Sequence, residues 1–369
     1  MAHTFKEVFP MSEQSYRKQT DIKRLNKLRQ LEKELPIVCT DFFRSIAQTT
    51  STLTRLAYAY DFRLFFQFLC QENPLFADCE PRFMDEKDFA KVKMRDIDTF
   101  QDYLTQYYVS DQETGESHVV QNHELGIMRK LCSLRSLFEY MFKNGLIEAN
   151  IATLVSLPKI HEKPILRLEA DEMRKMLDAV YSGDGLSEHQ RKVSANTKSR
   201  DLAIILLFLG TGIRVSECVG INLSDIDLDN KAFVVTRKGG DQSILYMPDT
   251  VAEALEDYLQ VRSEIIPVEG HEEALFLSLQ RKRITQRAVQ NLVKKYALIA
   301  APLKKRISPH KLRSTFGTNL YEETGDIYLV ADVLGHTDVN TTRKHYAAMT
   351  DLHKREAARR IQLPAKKEE

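Results

Sequence analysis

The chain has 369 residues, more than one ordinary domain needs and enough for two. It is 43% hydrophobic and 28% charged with a net charge of +1, a globular composition. No apolar run reaches membrane-spanning length and the start Met1-Ala-His-Thr-Phe-Lys6 lacks a signal-peptide core, which sets aside membrane and secreted classes and makes the cytoplasm the expected compartment.

The first forty or so residues are polar, with a basic patch Lys23-Arg24-Leu-Asn-Lys27-Leu-Arg29, and predict a helix with a loosely ordered lead-in. Leu53–Cys70 carries apolar and aromatic residues at helical spacing and predicts a buried helix. Asp78–Lys93 reads as mixed and loop-like, Asp96–Tyr108 as an amphipathic helix, and Asp111–Ser117 as an acidic loop containing Gly115. Glu124–Lys143 predicts a long helix stopped by Asn144-Gly145. Helices of this length with no strand signal predict an all-helical first domain. Arg55, Arg63, Arg129 and Arg135 are candidate phosphate contacts on it, although a surface arginine is usually only solvated. The five cysteines (Cys39, Cys70, Cys79, Cys132, Cys218) fit no zinc spacing and read as reduced core thiols.

Leu157–Ile165 has two prolines and no helical periodicity, and reads as a linker. Beyond it, a helix is predicted over Glu169–Val180, polar loop over 182–198, and an apolar helix over Arg200–Gly210 that breaks at Thr211-Gly-Ile. Arg214 opens the next helical turns with Glu217 three residues on. Lys231–Arg237 and Gln242–Met247 alternate as strands joined by the turn Lys238-Gly-Gly-Asp241. Helices follow at Thr250–Arg262 and from Thr285 onward. Ala274–Tyr321 holds eleven Lys or Arg and no Asp or Glu, a candidate phosphate-facing surface led by Arg281, Lys282, Arg283 and Arg287.

The densest chemistry lies in Ser308-Pro-His-Lys-Leu-Arg-Ser-Thr-Phe-Gly-Thr-Asn319 and Leu334-Gly-His-Thr-Asp-Val-Asn-Thr-Thr-Arg-Lys-His-Tyr346. Ser308 suits an N-cap and Pro309 the first helical position, and His310 and Arg313 fall three apart, on one face of that helix. Asp326 and Gly335 bracket a short apolar helix with His336 just past its end, and Asn340 suits the cap of a helix carrying Tyr346. Arginine grips phosphate oxygens in pairs, histidine donates or shuttles a proton, and tyrosine serves as a covalent nucleophile. Taken singly, each has a duller reading: a late-helix tyrosine is usually core, and a histidine after a helix-ending glycine often just meets the last carbonyls. Together they suit phosphoryl transfer at a nucleic-acid backbone. Arg214 at the helix break and Lys238 at a hairpin tip join the set. Viewed alone, Arg214 with Glu217 is an ordinary surface ion pair and Lys238 a solvent-facing lysine; in the set, Glu217 orients Arg214 from behind, and Lys238 could protonate a departing alkoxide if its tip folded over a bound phosphate.

Arg214 in Gly210-Thr-Gly-Ile-Arg-Val-Ser-Glu217, Lys238 in the β-turn, His310-x-x-Arg313, Leu334-Gly-His336 and Tyr346 resemble, in order and spacing, the tyrosine recombinase/integrase family. The likeness covers about residues 45 to 350, and within the family it is greatest to the Xer-type recombinases, particularly the XerS-like group. Asn150-Ile151 departs from the Asn-Pro that often precedes the linker in relatives. The resemblance implies a mainly α fold with a small β-sheet: an all-helical core-binding, SAM-like DNA-binding domain plus a mixed α+β catalytic domain. The implied division is an N-terminal extension (1–44), core-binding domain (45–156), linker (157–165), catalytic domain (166–350) and a tail (351–369). The tail opens with a basic, helix-forming stretch Leu352–Leu363, which is read as a candidate for docking on a neighbouring protomer.

By resemblance, Arg214 and Arg313 clamp the scissile phosphate, Tyr346 attacks it to give a 3′-phosphotyrosyl link, and Lys238 protonates the leaving 5′-oxygen. His310 assists proton transfer at the tyrosine and His336 bonds a phosphate oxygen. No cofactor and no metal are expected. The implied partners are double-stranded DNA with inverted-repeat arms and further copies of the chain, a dimer per site and a tetramer in the synapse; a DNA translocase is a further candidate, and no membrane partner is expected. The implied role is Xer-type chromosome dimer resolution. The alternatives are an integrase or excisionase of a phage or conjugative element, a DNA-binding protein without catalysis, a metal-dependent nuclease and a monomeric relaxing topoisomerase.

Overall fold

A computed structural model of the chain describes residues 16–110, 117–160, 166–237, 240–304, 307–336 and 338–339. These residues form two compact units, one up to residue 160 and one from 166 onward.

The first unit runs α1 (Tyr16–Glu32), α2 (Ile37–Ser45), α3 (Thr52–Glu72), α4 (Glu86–Lys91) and α5 (Met94–Thr105), then strands β1 (Gln106–Ser110) and β2 (Ser117–Gln121), then α6 (Glu124–Lys143). Ser51 starts α3 by accepting the N–H of Thr54 at 3.2 Å. That helix buries Phe62, Phe65, Phe66, Phe68 and Leu69 round most of its circumference, so it forms the centre of the unit. Phe65 meets Phe100 of α5 edge to face at 5.1 Å, and Phe43 of α2 stacks on Phe62 at 5.6 Å. Leu28 and Leu31 of α1 and Val38, Phe42 and Phe43 of α2 enter the same core, so the described part of the N-terminal extension supplies core to the helical domain.

Three expectations for this unit change: α4 lies within Asp78–Lys93, which reads as loop, a two-stranded ribbon interrupts the all-helical domain, and two candidate phosphate contacts are already engaged. The helix over Asp96–Tyr108 stops at Thr105, where Gln106 turns extended (φ −154°, ψ 125°), and Gln106-Tyr-Tyr-Val-Ser110 pairs antiparallel with Ser117–Gln121. Aromatic and β-branched residues favour that ribbon once a partner is present, and the partner lies past residues 111–116, beyond the reach of local periodicity; the acidic loop expected there lies largely outside the described residues. Arg129 and Arg135, candidate phosphate contacts, are engaged within the unit. Arg129 grips buried Asp61 at 2.5 and 2.7 Å, and Arg135 donates to the carbonyls of Ala152 (3.0 Å) and Val155 (2.5 Å).

The second unit runs α7 (Ala170–Ser182), α8 (Glu188–Ala195), α9 (Lys198–Thr211) and α10 (Val215–Cys218), a sheet of β3 (Ile226–Asp227), β4 (Ala232–Thr236) and β5 (Gln242–Tyr246), then α11 (Asp249–Ser263), α12 (Gln286–Ala300), α13 (Pro309–Thr324) and α14 (Ile327–Leu334). The sheet is antiparallel in the order β3-β4-β5, with Thr236 opposite Gln242 at the hairpin end. Helix α9 is apolar on nearly every side (Leu202, Ala203, Ile204, Ile205, Leu207, Phe208 buried), because α7, α11 and α13 all pack on it. Its buried Asp201 takes the guanidinium of Arg200 at 2.7 and 3.1 Å and the Tyr296 hydroxyl at 3.2 Å, fastening α9 to α12. Helix α8 occupies part of the stretch expected to be loop; Ser187 caps it by accepting the N–H of Gln190 at 3.2 Å. Among the described residues no helix is long and apolar enough to cross a membrane.

Candidate active site

Helix α14 supplies the platform. Asp326 starts it by accepting the N–H groups of Tyr328 (2.8 Å) and Leu329 (3.1 Å). Gly335 ends it in the left-handed region (φ 59°), and the N–H of His336 then closes back on the Ala331 carbonyl at 2.9 Å. A helix ended this way leaves its last carbonyls without helical partners and carries partial negative charge there. Three guanidinium groups take those oxygens: Arg237 donates to Val333 (3.0 Å) and Leu334 (3.1 Å), Arg313 to Leu334, and Arg214 to Gly335 (2.8 Å).

Arg313 rises from α13, whose first turn contains Pro309 at N1. The Ser308 side chain makes no cap bond; its carbonyl instead receives the N–H groups of Lys311 (2.8 Å) and Leu312 (3.1 Å). His310 is exposed on that turn, whereas Arg313 is only 4% exposed, so the pair expected on one face of the helix is divided, one turned outward and the other inward. The second arm of Arg313 donates to the Gly212 carbonyl at 2.5 Å. Gly212 caps α9 at φ 61°, and a Cβ there would strike the Phe316 ring and press on Leu334. Only glycine lets α9, α13 and α14 close together around the guanidinium.

Arg214 stands at the N-cap of α10 with extended backbone. Glu217, 6% exposed, accepts the Arg214 guanidinium through Oε1 at 2.9 Å and the Arg214 backbone N–H through Oε2 at 2.9 Å. One carboxylate thus fixes both the side chain and the turn it grows from. His336, half-buried, follows directly on the Gly335 carbonyl that receives Arg214. Three cations converging on neutral carbonyls leave a positively charged surface suited to phosphate oxygens.

Arg214, Arg313 and His336 are therefore brought together, with Glu217 behind Arg214 and His310 on the first turn of α13. Lys238 and Tyr346, with the helix expected after Asn340 and the tail 351–369, lie outside the described residues. Arg237, the residue before Lys238, is part of the cluster and was not anticipated, being read only as a strand end. Burial pulls its guanidinium below the usual arginine range, opposed by the Glu217 carboxylate and reinforced by Arg214. The available signal was two consecutive cations at a strand end before Gly-Gly. Of the basic block, Arg281, Lys282 and Arg287 are exposed, while Arg283 donates to the carbonyls of Val219 (3.0 Å) and Ile221 (2.8 Å) and to Asn222 Oδ1 (2.5 Å). Among the described residues no group of three or more His, Cys, Asp or Glu is placed to hold a metal ion.

Residues 167–353, which include all six candidate catalytic positions, match the model of the phage integrase family. The chain is 35% identical over 328 residues to the tyrosine recombinase XerC of Caldanaerobacter subterraneus subsp. tengcongensis, covering 86% of this chain and 84% of that one. It is 29% identical over 356 residues to the tyrosine recombinase XerS of Streptococcus thermophilus, covering 89% of this chain and 97% of the relative. In fold it is similar to the XerH site-specific recombinase bound to palindromic difH (TM-score 0.60, 21% identity, 94% of this chain and 90% of that chain). It is likewise similar to the Tn1549 transposon integrase with circular intermediate DNA (TM-score 0.61, 21% identity, 87% and 98%). With the family model matched over residues 167–353 and 35% identity to a tyrosine recombinase along most of both chains, the chain belongs to the phage integrase family, the tyrosine recombinases.

Proposed function

We propose that the chain is a Xer-type site-specific recombinase that cleaves and rejoins double-stranded DNA through a 3′-phosphotyrosyl link at Tyr346, and that it resolves chromosome dimers in the cytoplasm. The observation that carries this reading is the meeting of Arg214 and Arg313 on adjacent carbonyls, Gly335 and Leu334, immediately before His336. Similarity to XerS along 97% of that relative's length, first unit included, supports the Xer assignment. An inverted-repeat DNA site is the expected substrate, as with the palindromic difH held by the XerH neighbour. A dimer would occupy each site and a tetramer the synapse, with the tail 351–369 docking between protomers.

The chemistry follows from the groups. Arg214 and Arg313 hold the non-bridging oxygens and stabilise the extra charge of the pentacoordinate transition state. The Tyr346 oxygen bonds to phosphorus and passes its proton toward His310, while the bond from phosphorus to O5′ breaks and O5′ takes a proton from Lys238. His336 donates to a phosphate oxygen. Rejoining runs the same steps backward with a 5′-hydroxyl as nucleophile, and since the covalent link conserves the phosphodiester, no ATP is consumed.

The test uses full-length protein and a nicked duplex whose inverted repeat has been selected from a randomised pool by binding to the chain. Wild type should trap a denaturant-stable covalent complex, in chelator as well as without it, and Tyr346→Phe should trap none. Adduct persisting in Tyr346→Phe, or cleavage lost in chelator, would overturn the proposal.

A further inference from the structure

Arg237 is the residue of the site that the proposed chemistry leaves unused, although it sits in the middle of it. Its backbone closes the β4–β5 hairpin: its N–H donates to the Asp241 carbonyl at 2.7 Å and its carbonyl receives the Gly240 N–H at 3.1 Å. Its side chain leaves the hairpin and donates to Val333 and Leu334 at the carbonyl end of α14. The guanidinium lies so close to Gly335 that a Cβ there would collide with it. The same Leu334 oxygen also receives Arg313, and the next carbonyl receives Arg214. One arginine therefore ties the root of a hairpin to the helix end on which both phosphate-clamping arginines rest.

Stability alone is a poor reason for that arrangement. A guanidinium beside two others, half out of water, is electrostatically costly, and the carboxylates of Glu217 and Asp332 offset only part of that cost. What the arrangement does achieve is geometric. The residue after Arg237 is Lys238, so the hairpin is fixed at its root, one peptide from that lysine.

We infer that Arg237 is a positioning residue for strand cleavage: it locks the hairpin root beside Lys238 to the α14 terminus, and so sets the leaving-group cation relative to the Arg214–Arg313 clamp. The inference rests on the reading of Lys238 as the group that protonates O5′. In this reading Arg237 acts through the placement of its neighbour.

A substrate with sulfur in place of the bridging 5′-oxygen separates these ideas, because sulfur departs as a thiolate and needs no proton. On the selected duplex described above, with the ordinary linkage, full-length Lys238→Ala and Arg237→Ala should each cleave roughly 100-fold more slowly than wild type. On the same duplex with the 5′-bridging phosphorothiolate, both should return to within roughly threefold of wild type. Arg237→Lys, which keeps the charge but offers a single ammonium to two carbonyls, should fall between, and serves in place of Arg237→Ala if that variant does not fold. If Lys238→Ala is rescued by sulfur and the Arg237 variants remain equally slow on both substrates, Arg237 is only structural and the inference is overturned while the reading of Lys238 stands. Arg237 variants as fast as wild type on the ordinary linkage overturn it too. If sulfur fails to rescue Lys238→Ala, the reading of Lys238 falls and the inference falls with it.

Discussion

In the helical unit Asp61 is 3% exposed and takes both arms of Arg129, at 2.5 and 2.7 Å. In the catalytic unit Arg313 is 4% exposed and donates to the carbonyls of Gly212 and Leu334. Each buried ion has its hydrogen bonds, but the two solutions differ in what they leave behind. A carboxylate paired with a guanidinium cancels charge, and the pair fastens α3 to α6. A carbonyl satisfies an N–H and leaves the positive charge in place. The first arrangement is how a fold disposes of a charge, and the second is how it keeps one for an incoming anion.

The sharpest way to break that contrast is Arg313→Lys. Lysine keeps a positive charge but cannot reach two carbonyls and a phosphate with one planar fork. Covalent-complex formation by folded protein on the selected duplex should drop by roughly 100-fold or more, while the vacated Gly212 carbonyl also lowers the melting temperature. A variant that cleaved normally would show that charge alone, without the two-carbonyl mount, is what the site needs.

Arg129→Ala should do the opposite. It strands the Asp61 carboxylate in the phenylalanine core, and because Arg129 is itself 49% exposed the cost falls at about 2–3 kcal/mol. Urea unfolding should report that loss, while the cleavage rate of folded protein stays close to wild type. A fall in cleavage with no loss of stability would reverse the roles given to the two arginines.

How far these roles were legible in sequence depends on how local they are. Arg313, His336 and Arg214 sit at helix starts and breaks marked by Pro309, Gly335 and Gly212, and those signals fix where the backbone turns. The apolar α9 and the aromatic α3 likewise announce buried helices. What spacing could not show is which guanidinium faces which carbonyl, because Arg237 and Leu334 meet across 97 positions of chain. The β1–β2 ribbon escaped for the same reason: Tyr107 finds Val120 only after the chain reverses. Asp61 and Arg129 are 68 residues apart, so an arginine that looked free for phosphate was already committed. Local chemistry is written in order; pairing at a distance is not.

The mildest test concerns Glu217, where the two solutions meet, since Arg214 has both a carboxylate and a carbonyl. Glu217 uses Oε1 for the guanidinium and Oε2 for the Arg214 backbone N–H, each at 2.9 Å. In Glu217→Gln the amide keeps the shape but turns one acceptor into a donor, which then faces a donor of Arg214. One charge-assisted bond is lost, and with the Arg214 side chain 31% exposed the effect is moderated by water. The Gly335 carbonyl still holds the other arm at 2.8 Å. Cleavage should slow by roughly tenfold, equivalent to about 1.4 kcal/mol of transition-state stabilisation, with DNA affinity unchanged in a gel-shift titration. An unaltered rate would mean that the carbonyl mount suffices for Arg214 as it does for Arg313. A loss as deep as that of Arg313→Lys would mean that the carboxylate, and not the helix end, decides where Arg214 points.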